Sequence, residues 1–121
     1  RAHMRQVGAP GVETRAQELT RKAVELARAA RGAAGRDVAI AGVMSPLEHC
    51  FRPDLAPEVE QARSEHAETA EGLADAGVDF LILESMNTIA EARAATEAAL
   101  ATGLPVWTSF VIGPEGEILN G

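Results

Sequence analysis

Val78-Asp79-Phe80-Leu81-Ile82-Leu83-Glu84-Ser85-Met86 is the stretch on which the fold turns. It is a short apolar run that stops at a carboxylate and follows Gly77. A run of this length and content reads as a strand of a parallel sheet, buried on both faces, over 78–84. Upstream, Val59, Ala62, His66, Ala70 and Leu73 recur at helical spacing. They predict a helix over 57–76, with Pro57 in its first turn, where a missing N–H is harmless, and Gly77 as its stop. Downstream, Thr88-Ile89-Ala90-Glu91 has the form of a capping box. The Thr88 hydroxyl is expected to serve the Glu91 N–H, and the Glu91 side chain to reach back. A helix over 88–102 follows, with Gly103 as its stop.

The same alternation continues outward. Asp37-Val38-Ala39-Ile40-Ala41-Gly42-Val43 predicts a second doubly buried strand over 37–43. Residues 44–56 read as a loop carrying Pro46 and Pro53. Leu104 to Ile112 predicts a third strand over 104–112, with Trp107 in the core, and Gly113-Pro114-Glu115-Gly116 reads as a turn. Before the first strand, Leu19, Ala23, Leu26, Ala27 and Ala30 share one face of a helix over 13–32, ended by Gly32 and Gly35. Residues 1–12, with Gly8, Pro10 and Gly11, read as loop. His3-Met4 is either a cloning scar or native sequence.

Apolar strands alternating with amphipathic helices define an α/β fold built of right-handed βαβ units. Three parallel strands leave two outer edges with unpaired backbone groups. A closed (β/α)8 barrel takes about 250 residues. The chain, at 121 residues, is therefore expected to be a partial (β/α)8 TIM barrel. A doubly wound parent would bring a phosphate-binding fingerprint. Neither G-x-G-x-x-G after a strand nor G-x-x-x-x-G-K-[ST] occurs.

Composition narrows the function classes. The formal net charge is −7, and no basic cluster is available to neutralise phosphates, so nucleic acid is not an expected partner. No apolar run is long enough to span a membrane, and no signal-peptide pattern opens the chain. Cys50 is the single cysteine, which excludes an internal disulfide framework, cannot build a multi-cysteine metal site and suits a reducing cytoplasm.

In parallel α/β folds, function gathers at the carboxyl ends of the strands. That rule selects Gly42–Pro46, Glu84–Asn87 and Ser109–Gly113. Glu84 follows the apolar residues Phe80–Leu83 and stands at the mouth of the fold. A carboxylate there can bind an ammonium group, orient another group or act as a base with a raised pKa; it can also simply end a strand in solvent. Ser45, Asn87 and Ser109 complete the substrate-facing candidates. Ser45 and Ser109 lack a nucleophile elbow or an obvious base, so backbone hydrogen bonding or packing is the better reading for both. Asn87 precedes the Thr88 cap and can serve to shape that loop. His49-Cys50 is a neighbouring pair with no third ligand nearby, and reads as ordinary loop. His66, on the apolar face of its helix, reads as a packed histidine with Glu65 and Glu68 as charge partners.

At these strand ends the chain resembles the homocysteine S-methyltransferase family. The resemblance is carried by Ala41-Gly42-Val43-Met44-Ser45-Pro46 with Phe51-Arg52-Pro53-Asp54. It continues through His66-Ala67-Glu68 to Ala76-Gly77-Val78-Asp79-Phe80-Leu81-Ile82-Leu83-Glu84-Ser85-Met86. Gly103-Leu104-Pro105-Val106-Trp107-Thr108-Ser109-Phe110 follows. Arg1-Ala2 and Glu18 to Val24 look like the stretch after that family's second strand. Ile112-Gly113-Pro114-Glu115-Gly116 looks like its betaine-using branch. The resemblance implies strands three to five of a (β/α)8 barrel. It implies homocysteine and an activated methyl donor as substrates, methionine as product, and Glu84 as the strand-four glutamate that holds the amino-acid part of homocysteine. It also implies one zinc held by three cysteines on later strands, which activates the thiol. Cys50 matches none of those cysteines, so zinc is not expected in this chain, and the isolated chain is expected to be inactive. Two other readings stay open: a non-catalytic half-barrel that forms a homo-oligomer through its strand edges, and a different barrel enzyme with Glu84 as base.

Overall fold

The computed structural model describes residues 12–119, so the loop expected over 1–12 and the His3-Met4 pair lie outside the described residues, apart from Val12. Helix α1 spans Val12–Ala34, strand β1 Ala41–Met44, a 3-10 turn Pro53–Leu55, α2 Val59–Ala76, β2 Phe80–Met86, α3 Ile89–Leu100 and β3 Val106–Phe110. The strands form one parallel sheet in the order β1-β2-β3. Ala41 pairs with Phe80 and Met44 with Leu83; Leu81 pairs with Val106 and Leu83 with Thr108. The sheet is not closed. No helix among the described residues is long and apolar enough to cross a membrane.

The helices cover one side of the sheet. Met44, Leu81, Leu83 and Met86 pack there against Ala70 and Leu73 of α2 and Ala92, Ala95 and Ala99 of α3. The predicted face of α2 is the buried one, with Ala62, His66, Ala70 and Leu73 turned inward. Alanines on α3 let it lie close to the sheet. Gly42 shows how close: a Cβ there would meet Leu81 Cδ2 at 2.9 Å and Leu73 Cβ at 3.2 Å. Gly77 ends α2 with a left-handed φ of 87°, which glycine adopts without strain.

Several expected boundaries shift for identifiable reasons. Strand β1 begins at Ala41, not residue 37, because the Ile40 N–H donates to the Asp79 carboxylate (2.7 Å) in place of a neighbouring strand. That bond, followed by the nearby Arg31 charge, lowers the Asp79 pKa, and Arg31 reaches the same oxygen at 2.8 Å. Strand β2 starts at Phe80 because the Val78 N–H still serves the end of α2, at Leu73 O. It continues past Glu84 to Met86. Strand β3 is shorter than 104–112: Leu104 N–H is taken by the Thr102 hydroxyl, and Ile112 instead bridges Ile118 in antiparallel fashion. Helix α1 runs through Gly32 and ends before Gly35, at φ 59°. Helix α2 starts at Val59, so Pro57 precedes it, and α3 stops at Leu100, short of residue 102.

The expectation of strands buried on both faces is corrected. Val43 is 52% exposed and Trp107 65% exposed, so Trp107 is not core; its ring lies tilted against Phe80 on the uncovered side, with centroids 5.1 Å apart. The helices that pack on this sheet lie on its other side. The predicted apolar face of α1 is likewise mostly uncovered: Leu26 is 73% exposed, and Val24 is the residue that joins the core.

Candidate functional site

The three strand ends converge as the parallel topology requires. Glu84 and Ser45 are exposed and share an open cleft of about 270 Å³ with Pro46, Glu48, His49, Cys50 and Ser85. A larger depression between α1 and α2, of about 450 Å³, is lined by side chains of those two helices and lies away from the strand ends.

A break in β2 follows Glu84, which lines the cleft. Leu81 and Leu83 face the helices, so Phe80, Ile82 and Glu84 face the open side. Ser85 adopts φ 60°, and the pairing with β3 shifts between Leu83 and Met86. Met86 thereby returns to the core instead of following Glu84 outward. A positive φ is strained for serine and persists only where the surroundings fix it. Here Ser109 does so: its hydroxyl receives the Ser85 N–H (3.2 Å) and donates to Leu83 O (3.4 Å). It thus bonds the residues on both sides of Glu84.

Of the four sequence-predicted residues, Glu84 and Ser45 line the cleft, whereas Asn87 and Ser109 lie outside its lining. Asn87 is only 1% exposed, and its Nδ2 donates to His49 O at 2.9 Å. His49 Nδ1 accepts the Phe51 N–H at 3.1 Å, and the His49 carbonyl also accepts from Arg52 N–H at 2.9 Å, so this histidine organises its own turn.

Glu91 is the residue that sequence reasoning missed. Half of the capping box forms: Thr88 Oγ1 accepts the Glu91 N–H at 3.2 Å. The Glu91 carboxylate turns inward instead of back to the cap. Its Oε1 accepts the Leu47 N–H at 2.8 Å and lies 3.1 Å from His66 Nε2. His66 is packed, as expected, and its Nε2 pairs with Glu91 on the next helix. The available signal was two polar residues, His66 and Glu91, each set in the apolar face of consecutive helices.

The donor set does not fit a zinc ion. Among the described residues no group of three or more His, Cys, Asp or Glu is placed to hold a metal. His49 Nδ1 is already engaged, and Cys50 is the only thiol.

A helix-backed parallel sheet with its polar groups at the strand ends makes this an α/β protein of parallel βαβ units, the organisation of an open portion of an α/β barrel. The sequence profile of the family described as Homocysteine S-methyltransferase matches residues 1–121, and the chain belongs to that family. Two solved structures of the homocysteine methyltransferase MmuM from Escherichia coli are similar to it. The apo form superposes with a TM-score of 0.75 at 29% identity, covering 90% of this chain and 42% of that one. The metallated form gives 0.83 at 28% identity, covering 99% and 46%. The chain thus spans less than half the length of these neighbours. No match was found among curated protein sequences.

Proposed function

We propose that the chain forms the third to fifth strands of a homocysteine S-methyltransferase barrel and contributes its substrate-holding glutamate. The reaction joins a methyl group to the homocysteine sulfur as the bond from that methyl to its donor breaks, giving methionine and releasing the thiol proton. Glu84 receives the ammonium group of homocysteine. The observation that carries this reading is the exposed Glu84 carboxylate near the carboxyl end of β2, beside the Ser85 break and lining the cleft, in a chain of this family. An ammonium–carboxylate hydrogen bond is charge-assisted and suits an amino-acid substrate. Ser45 lies on the same cleft and supplies a hydroxyl for the polar end of the substrate. No zinc ligand is assigned to the residues described, and no step of the chemistry is assigned to this chain beyond holding substrate. A cytoplasmic setting accords with its lone thiol.

Calorimetric titration of homocysteine tests the reading. Glu84→Gln is expected to weaken binding about tenfold or more, because hydrogen bonds to charged groups contribute about 1.5–3 kcal/mol. A homocysteine analogue lacking the amino group is expected to bind both chains equally. Equal affinity of the two chains for homocysteine itself overturns the assignment.

A second reading draws on the uncovered side of the sheet, where Val43 and Trp107 are exposed. Two copies can bury this side or pair their free strand edges, giving a non-catalytic assembly. A monomer at high concentration by light scattering counts against it.

A further inference from the structure

We infer that Glu91 and Asn87 are positioning residues that fix the cleft wall from the start of α3. The wall is the segment after β1, which carries Ser45, Glu48, His49 and Cys50. It has no strand or helix of its own until the short turn at Pro53–Leu55. Two of its backbone groups are instead taken by buried side chains from the β2–α3 junction. Leu47 N–H donates to Glu91 Oε1 at 2.8 Å, and His49 O accepts from Asn87 Nδ2 at 2.9 Å. These two bonds bracket Glu48. The Leu47 side chain is buried with Ala62 and Ala94, so an apolar contact lies beside the polar latch.

The arrangement is demanding to maintain. Glu91 is 2% exposed and Asn87 1% exposed. Glu91 Oε2 and Asn87 Oδ1 are buried without a hydrogen-bond partner. Buried polar groups are ordinarily satisfied, and an alanine such as Ala94 or Ala95 would fill this helix face without that burden. A buried polar pair is weak evidence for stability, so the geometry it imposes on the wall is the feature to test. His66 Nε2, 3.1 Å from Glu91 Oε1, and Thr88 Oγ1, bonded to the Glu91 N–H, hold the carboxylate in place. Glu84 and Asn87 belong to one short segment, so the carboxylate and the wall facing it are referred to the same stretch of backbone. This deepens the reading of the cleft as a substrate pocket and rests on that reading only for the identity of the occupant.

The Leu47 N–H is held by the latch in a buried residue, so its hydrogen exchange reports opening of the wall in the native 121-residue chain. Glu91→Leu is expected to raise the rate about tenfold, by making local opening more frequent. Glu91→Gln keeps an oxygen acceptor for Leu47 N–H and is expected to stay within about twofold of the unsubstituted chain. Leu73→Ala, a core substitution away from the latch, serves as a control at a matched denaturant midpoint and is expected to leave the rate near that of the unsubstituted chain. Equal rates for Glu91→Leu and Leu73→Ala overturn the proposal, as does Glu91→Gln behaving like Glu91→Leu. Should Glu91→Leu fail to fold, Asn87→Ala is expected to raise the rate severalfold, and an unchanged rate overturns the proposal. No homocysteine enters the measurement, so its outcome is separate from that of the Glu84 titration.

Discussion

The two sides of the sheet are made of the same strands, with the same backbone ladder and similar apolar content, yet they are covered very differently. Met44, Leu81, Leu83 and Met86 are sealed beneath α2 and α3, while Val43 and Trp107 stand open. Each β-to-α step brings one helix back onto one side of the sheet only. The other side depends on further strands, which in a closed barrel fill the interior by layers. Apolar character therefore marks a side as suited to burial without saying what covers it.

Substitutions can break or sharpen this contrast. The largest effect is expected from Leu83→Ala, which opens a cavity in the sealed side and is expected to cost about 2–5 kcal/mol in denaturant unfolding. Ser109→Ala is expected to cost about 1 kcal/mol, the net contribution of a typical hydrogen bond. It should also speed amide exchange at Ser85; unchanged exchange there would show that the break holds without the hydroxyl. Trp107→Ser is expected to change stability least, by less than about 0.5 kcal/mol, as for a surface site. A loss comparable to that of Leu83→Ala would mean that the open side is covered in solution. Light scattering on the same variant would show whether a second copy supplies the cover.

Much of the architecture was legible because its signals are local. Helical spacing at Ala62, His66, Ala70 and Leu73 marked the inner face of α2, and the glycine at position 77 marked its end. The apolar runs marked three parallel strands and so located the strand-end segments. What escaped depends on partners distant in sequence. Asp79 replaces a strand neighbour at Ile40 and shortens β1. Glu91 matches a capping box locally, but Leu47 and His66, from two other segments, draw its carboxylate inward. The exposure of Trp107 is set by which side the helices take. Glu84 stood out in the sequence because it combines a charge with a topologically privileged place. Glu91 was missed because a helix-start motif offered it a sufficient local explanation.

The left-handed turn at Ser85 has a consequence for how the strand can change over time. A β-strand assigns odd and even positions to opposite sides, so Glu84 and Met86 would otherwise share one fate. One residue of opposite hand resets the count, and the polar rim and the greasy interior can then vary with different parity. A deletion at Ser85 would not merely shorten the strand. It would remove the extra residue and leave Met86 on its present side by ordinary alternation, whereas straightening Ser85 in place would send Met86 outward with Glu84.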